Sequence, residues 1–214
     1  MKPGQKYWEE IPKTGLPATP LSKVAAINGN GAYVLTGNPN SPGYVYRYSG
    51  TSWTKVPGAA LDIALDMVGN LYAIGTGDIL WKLPGGQGVW TALPSLPAGA
   101  GKPLRIGAGG AEQVWVVTNA NEDFKWAGPN PAQPSQPVWV RGNTNTTITD
   151  VAVARDGSAW FASGNGNVVV NRGGTITQLP TVLAGAAPQN VAVGGNNKVF
   201  ALATMQVFKY SGYK

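Results

Sequence analysis

WTKVPGAALDIALDMVGNLYAIGTGDILWKLPGGQGVWTALP, residues 53–94, is the stretch whose reading decides the fold. It opens on a Trp followed by Val-Pro and closes on a Trp followed by Leu-Pro. Three short apolar segments lie between, at Asp62–Leu65, Leu71–Gly75 and Ile79–Leu83. Gly or Asn punctuates each gap, at Gly69-Asn70, Gly77-Asp78 and Gly85-Gly86. Short apolar runs broken by such dipeptides read as strands joined by tight turns. The unit holds four strands.

The same unit recurs along the chain. Its outer strand, Trp-x-x-(Val/Ile/Leu)-Pro, appears at Trp8, Trp53 and Trp90, with degenerate copies at Trp139 (no Pro) and Ile176 (no Trp). These markers stand 37 to 49 residues apart, and the interval from Ile176 round to Trp8 falls in the same range. Each is followed by an inner segment whose middle residue is small: Ala25, Ala64, Gly107, Ala152 and Ala192. Sheets arranged radially crowd together near a common axis, so their inner strands tolerate only small side chains there. A second strand starts on an aromatic, at Tyr33, Tyr72, Trp115, Trp160 and Phe200. The third carries a bulky–cation–bulky triplet such as Tyr46-Arg47-Tyr48 or Trp81-Lys82-Leu83.

The last repeat stops after three strands, at Tyr210-Ser211-Gly212-Tyr213-Lys214, while residues 7–11 form an orphan fourth. Joined end to end, the termini copy VYRYSGTSWTKVP at 45–57. The fold expected is therefore all-β: a single domain over 1–214, a five-bladed β-propeller of four-stranded antiparallel blades. Its last blade would be closed by the N-terminal strand, which removes exposed sheet edges. The loop 37–43 and the Pro-rich run 129–137 read as insertions between strands.

Composition narrows the function. The chain of 214 residues has no Cys and no His, which removes thiolate chemistry, the commonest general base and the commonest transition-metal ligand. Carboxylates remain, but the pairs Glu9-Glu10 and Glu122-Asp123 sit on successive strand positions and so point to opposite faces. The chain is expected not to be an enzyme and to need no cofactor or metal. A net charge of +6 without a basic run reads as scattered solvated charge, with mild attraction to anionic surfaces such as phosphorylated glycans or lipid head groups as the competing reading, and no nucleic-acid partner is expected. No apolar span reaches 18 residues, so no membrane insertion is expected. The N-terminus lacks an apolar core, which predicts a cytoplasmic location or export without a classical signal peptide.

Trp53-x-x-Val-Pro-Gly, Asp62-Ile63-Ala64, Leu71-Tyr72-Ala73-Ile74-Gly75 and Tyr46-x-Tyr48-Ser49-Gly50 resemble the tectonin β-propeller repeat. Five blades also resemble tachylectin, a five-bladed lectin with a different repeat consensus. Asp156-Gly157-Ser158-Ala159-Trp160-Phe161 is similar in rhythm to the repeat of antibiotic-cleaving propeller lyases, whose His is missing here. The tectonin resemblance implies a lectin: multivalent recognition of glycans of cell-surface, methylated or lipopolysaccharide type, at sites between blades, with homo-oligomers left open. The alternative is a protein-interaction propeller that binds no glycan.

A sugar site needs an aromatic face and a few polar partners. The candidates are Trp8, Trp53, Trp90 and Trp139 on outer strands, and Tyr48, Trp126 and Tyr210 ending third strands. Packing between blades is the competing role for all seven. Asp62 and Asp150, just before inner strands, would bind either a backbone amide or a sugar hydroxyl. Asp66 and Asp156 read as Asx turns. The fourth repeat has Ile176 and Arg172 where the others carry aromatics, so at most four stacking sites are expected.

Overall fold

The computed structural model describes residues 11–26, 31–86, 88–128, 139–182, 187–194, 198–203 and 206–210. Trp8, the expected closing strand and the Pro-rich run 129–137 lie outside the described residues, apart from Ile11.

Eighteen strands are present among the described residues, all paired antiparallel. The first seven are β1 (Leu21–Ala26), β2 (Ala32–Thr36), β3 (Gly43–Tyr48), β4 (Trp53–Leu65), β5 (Leu71–Gly75), β6 (Leu80–Leu83) and β7 (Thr91–Ala92). They form one seven-stranded sheet in chain order. Next, β8 (Pro103–Ala108), β9 (Val114–Thr118), β10 (Asp123–Trp126) and β11 (Trp139–Arg141) form a four-stranded sheet. So do β12 (Ile148–Val153), β13 (Ala159–Ser163), β14 (Val168–Arg172) and β15 (Thr175–Gln178). The final sheet has three strands, β16 (Asn190–Val193), β17 (Val199–Ala203) and β18 (Gln206–Lys209).

The expectation of five four-stranded blades is thus met only in part. The sheets hold 7, 4, 4 and 3 strands because β4 runs unbroken through a junction expected to separate two units. Its first part, Trp53–Val56, pairs with β3. Its last part, Asp62–Leu65, pairs with β5. Pairing with β3 continues to Ala60, which also pairs with Gly75 of β5, so the strand passes from one partner to the other without a loop. Gly58, at φ 107, sits in the bulge opposite Tyr44 and Val45. The seven-stranded sheet is therefore two pairing units sharing one strand, and five units follow one another along the chain.

Consecutive units pack face to face. One apolar cluster joins Tyr72 and Ile74 of the second unit to Ile106, Val116 and Trp126 of the third. Others join units one and two, three and four, and four and five. The second strands are sandwiched on both faces, and every residue of β5, β9 and β13 is buried. That is why these strands read as continuous apolar runs instead of alternating ones.

The inner strands converge as the small residues require. A Cβ placed on Gly107 of β8 would lie 2.9 Å from the Val151 carbonyl oxygen of β12. Four inner strands also carry a register shift at the same place, between Leu21 and Lys23, Ala60 and Asp62, Pro103 and Arg105, and Ile148 and Asp150. Each bulge delivers a polar side chain to the axis: Lys23, Asp62, Arg105 and Asp150, with Asn190 in the fifth unit.

These side chains tie the units together. Asp62 accepts the Ile106 amide at 2.9 Å, and Asp150 accepts the Val191 amide at 3.1 Å, each from the next inner strand. Lys23 reaches Asp62 at 2.9 Å and Asp150 at 3.5 Å, so one ammonium serves carboxylates of the second and fourth units. Arg105 turns to Asn40 on the loop 37–43, at 2.8 Å. A cavity of about 340 Å³ here is lined by Lys23 from the first unit and Asn190 from the last, bringing the two ends of the described chain to one place. Burial pushes the Lys23 ammonium down, but Asp62 and Asp150 together lift its pKa above the ordinary 10.5.

Two outcomes follow from this crowding and charge. Gly107→Val should destabilise by about 1–3 kcal/mol in denaturant unfolding, because the obstructing Val151 oxygen belongs to a paired strand that cannot retreat. A neutral result would mean that the inner strands have room to part. Lys23→Met should cost about 3 kcal/mol by leaving two buried carboxylates uncompensated. The Lys23 contribution is complete below pH 10.5 and lost as pH rises through the raised value. Buried Tyr33 and Tyr72, both with raised pKa, weaken the fold in the same alkaline direction. The difference between wild-type and Lys23→Met melting from pH 8 to 12 therefore isolates the lysine, and parallel curves would exclude this role.

Candidate functional site

The outer-strand tryptophans do something the sequence does not announce. Trp53 Nε1 donates to the Pro12 carbonyl at 2.9 Å, Trp90 to Pro57 at 2.8 Å and Trp139 to Pro94 at 2.8 Å. In each case the acceptor ends the preceding Trp-x-x-x-Pro marker. Proline lacks an N–H but keeps a strong acceptor, and the indole N–H is a donor only, so the pair fits without a competing group. The motif is a staple from one unit to the next. The staple is missing between the third and fourth units, where the third unit's marker has Asn143 in place of the Pro and the fourth unit's has Ile176 in place of the Trp. Ile176 carries no donor, so no indole N–H is left there without a partner.

The candidate aromatics separate by exposure. Trp53 (7% exposed) packs on half-buried Tyr48 at 5.0 Å, and Trp139 (1%) meets Trp126 (8%) edge-on at 5.0 Å. Those tryptophans are core. Trp90 and Tyr210 are half-buried and line open grooves. Asp62 and Asp150 are both buried, and their amide partners belong to neighbouring inner strands. Asp66 and Asp156 do form Asx turns, accepting the amides of Val68 at 3.1 Å and Ser158 at 3.0 Å.

Two grooves occupy the same position in different units. The first, about 190 Å³, lies where β4 crosses between units, with Pro57, Ala60 and Ala73 beneath Trp81 and Trp90. The second, about 240 Å³, has Pro180, Val182 and Ala201 beneath Phe208 and Tyr210. In both, the segment after an outer strand forms one side and the aromatic opening the third-strand triplet forms the other. Trp81 and Phe208 were not among the expected site residues, which favoured the aromatics closing the triplets. Period-2 alternation held the signal: both ends of a bulky–cation–bulky triplet share one face.

A third cleft differs in character. It holds about 490 Å³ between the third and fourth units, and its lining includes Lys125, Arg155, Arg172 and Asp156. Asp156 accepts the Ser158 hydroxyl at 2.6 Å, and that bond, with Arg172 nearby, holds its carboxyl below the ordinary range.

The staple has a measurable signature. Trp53→Phe should lower stability by about 1 kcal/mol, since buried Trp53 loses the part-buried bond to the Pro12 carbonyl. Trp90→Phe should cost less, because water reaches its acceptor. Equal losses in urea titrations would contradict the assignment.

The fold has solved counterparts. YCF48 from Cyanidioschyzon merolae is 19% identical with a TM-score of 0.64, covering 96% of this chain and 73% of that one. A streptogramin B lyase structure is 14% identical with a TM-score of 0.63, covering 92% and 70%. YCF48 bound to D1 peptide is 12% identical with a TM-score of 0.60, covering 92% and 67%. Identities this low speak for the fold and not for the activity. No curated protein sequence matches this one. The family model for the Tectonin domain matches residues 22–214, and with the repeated markers, converging inner strands and unit-to-unit packing, the chain belongs to the Tectonin domain family.

Proposed function

We propose that this protein is a multivalent glycan-binding propeller that acts by binding rather than by catalysis. In this reading the five units are five blades, with β4 shared by the first two. The observation that carries it is the repeated groove, walled by Trp81 and Trp90 in one place and by Phe208 and Tyr210 in the other. An aromatic wall over a small-residue floor suits the apolar C–H face of a sugar, with ring hydroxyls left to backbone groups at the rim. Volumes of about 190 and 240 Å³ fall below those of drug-sized pockets, so each groove takes one ring or one substituent. Weak sites of this size gain strength by simultaneous engagement of a branched or surface-bound glycan.

A second reading, a peptide-binding scaffold, draws on one observation: the similar YCF48 propeller was solved with a peptide bound. A glycan array followed by calorimetry with the best soluble sugar separates the two. Under the glycan reading, Trp81→Ala and Trp90→Ala should melt cooperatively yet bind roughly fivefold to tenfold more weakly, or with fewer sites. A silent array, or folded variants with unchanged affinity, would remove glycans from the account.

A further inference from the structure

The cationic cleft between the third and fourth units is a second kind of site. Its character comes from one turn position, occupied differently in successive units. In the second, third and fourth units a five-residue turn joins the inner strand to the second strand, and its fourth residue adopts a left-handed conformation. That residue is Gly69 (φ 91), then Glu112 (φ 57), then Gly157 (φ 82). Glycine is the usual occupant of such a position, and a glutamate there bears a steric cost of about 1 kcal/mol. Glu112 is placed to neutralise: its carboxylate forms an ion pair with Lys82, the cation of the preceding unit's third strand.

One unit further on, the equivalent cation is Lys125, and the residue in the place of Glu112 is Gly157. The carboxylate is gone, and two cations have been added. Arg155 stands two residues earlier in the same turn, exposed, and Arg172 enters from the end of β14. The lining then carries three cations and one carboxylate, Asp156, whose Oδ1 is already occupied by Ser158. Arg172 is oriented by its position 5.2 Å from the Trp160 ring. The cleft, about 490 Å³, is the largest of those described above and the most polar in its side chains.

We propose that this cleft binds a phosphate or sulfate monoester, held by Lys125, Arg155 and Arg172. Tetrahedral oxyanions accept several charge-assisted hydrogen bonds at once, and arginine's planar fork suits them. The site does not rest on the aromatic grooves, since its ligand is defined by charge. Where a glycan carries the anion, groove and cleft would read two parts of one molecule.

The test uses glucose 6-phosphate and glucose in parallel titrations at low ionic strength, with inorganic phosphate and with phosphatidylcholine vesicles doped with phosphatidate as further arms. Wild-type protein should bind glucose 6-phosphate and ignore glucose in this cleft, with affinity falling as salt is raised. Arg155→Gln should weaken that binding roughly tenfold. Gly157→Glu restores the carboxylate found at Glu112 and should abolish it. The new Cβ meets only the flexible Gln113 side chain, at 3.1 Å, and the left-handed backbone at φ 82 adds a cost of the kind already borne by Glu112 at the equivalent position. Should Gly157→Glu melt early, Lys125→Gln replaces it. Trp90→Ala should leave phosphomonoester binding intact, which separates this site from the grooves. Binding to vesicles alone, lost in the same variants, would support the cleft and identify the anion's source as a lipid headgroup. No binding of any anionic probe, or binding undiminished in both charge variants, would overturn the proposal.

Discussion

The whole arrangement depends on how closely the inner strands approach one another. Where β8 and β12 converge, a single Cβ on Gly107 would collide with a backbone oxygen. At that separation no water layer fits between the strands, so backbone groups at the convergence need partners from the protein itself. Asp62 and Asp150 supply them by accepting amides of the next unit's inner strand. Those carboxylates are buried and need a counter-charge, which Lys23 brings from the first unit. Small residues, bulges, acids and one ammonium are therefore a single solution to one steric problem.

The periphery is joined by a different device. Away from the axis the units diverge, and large side chains fill the space between them. The Trp-to-Pro hydrogen bond fixes spacing there without a charge. It reuses one sequence motif as donor in one unit and acceptor in the next. Between the third and fourth units the motif is broken, with Asn143 in place of the Pro and Ile176 in place of the Trp, and Ile176 keeps the contact apolar.

Binding surfaces arise where these two devices leave room. The first aromatic groove lies beside the Trp90–Pro57 staple, where Gly58, Ala59 and Ala60 follow the proline and leave room under the rings. The cationic cleft lies at the turns, outside the crowded axis, where a substitution alters charge without disturbing packing. That division suits a fold whose scaffold repeats and whose sites vary. The grooves recur because their walls belong to the repeat. Among the described residues the cationic cleft occurs once, because Arg155, Gly157 and Arg172 come together in the fourth unit alone.

Much of this was legible in the residues themselves. The repeat spacing, the small middle residues of inner strands and the Gly-marked turns specify many short strands in radially packed sheets, because each is a local steric requirement. Asp66 and Asp156 could be read as Asx turns for the same reason. What the sequence could not decide was how units meet. A continuous β4 depends on Ala60 pairing with β3 and β5 at once, and partition of the tryptophans into core and groove depends on which neighbour covers each ring. The axial set of Lys23, Asp62, Arg105, Asp150 and Asn190 comes from five segments far apart in the chain. So does the contrast between Lys82, neutralised by Glu112, and Lys125 facing Gly157. Local sequence determines what each strand is, and only tertiary structure brings distant side chains within the few ångströms over which hydrogen bonds and ion pairs act.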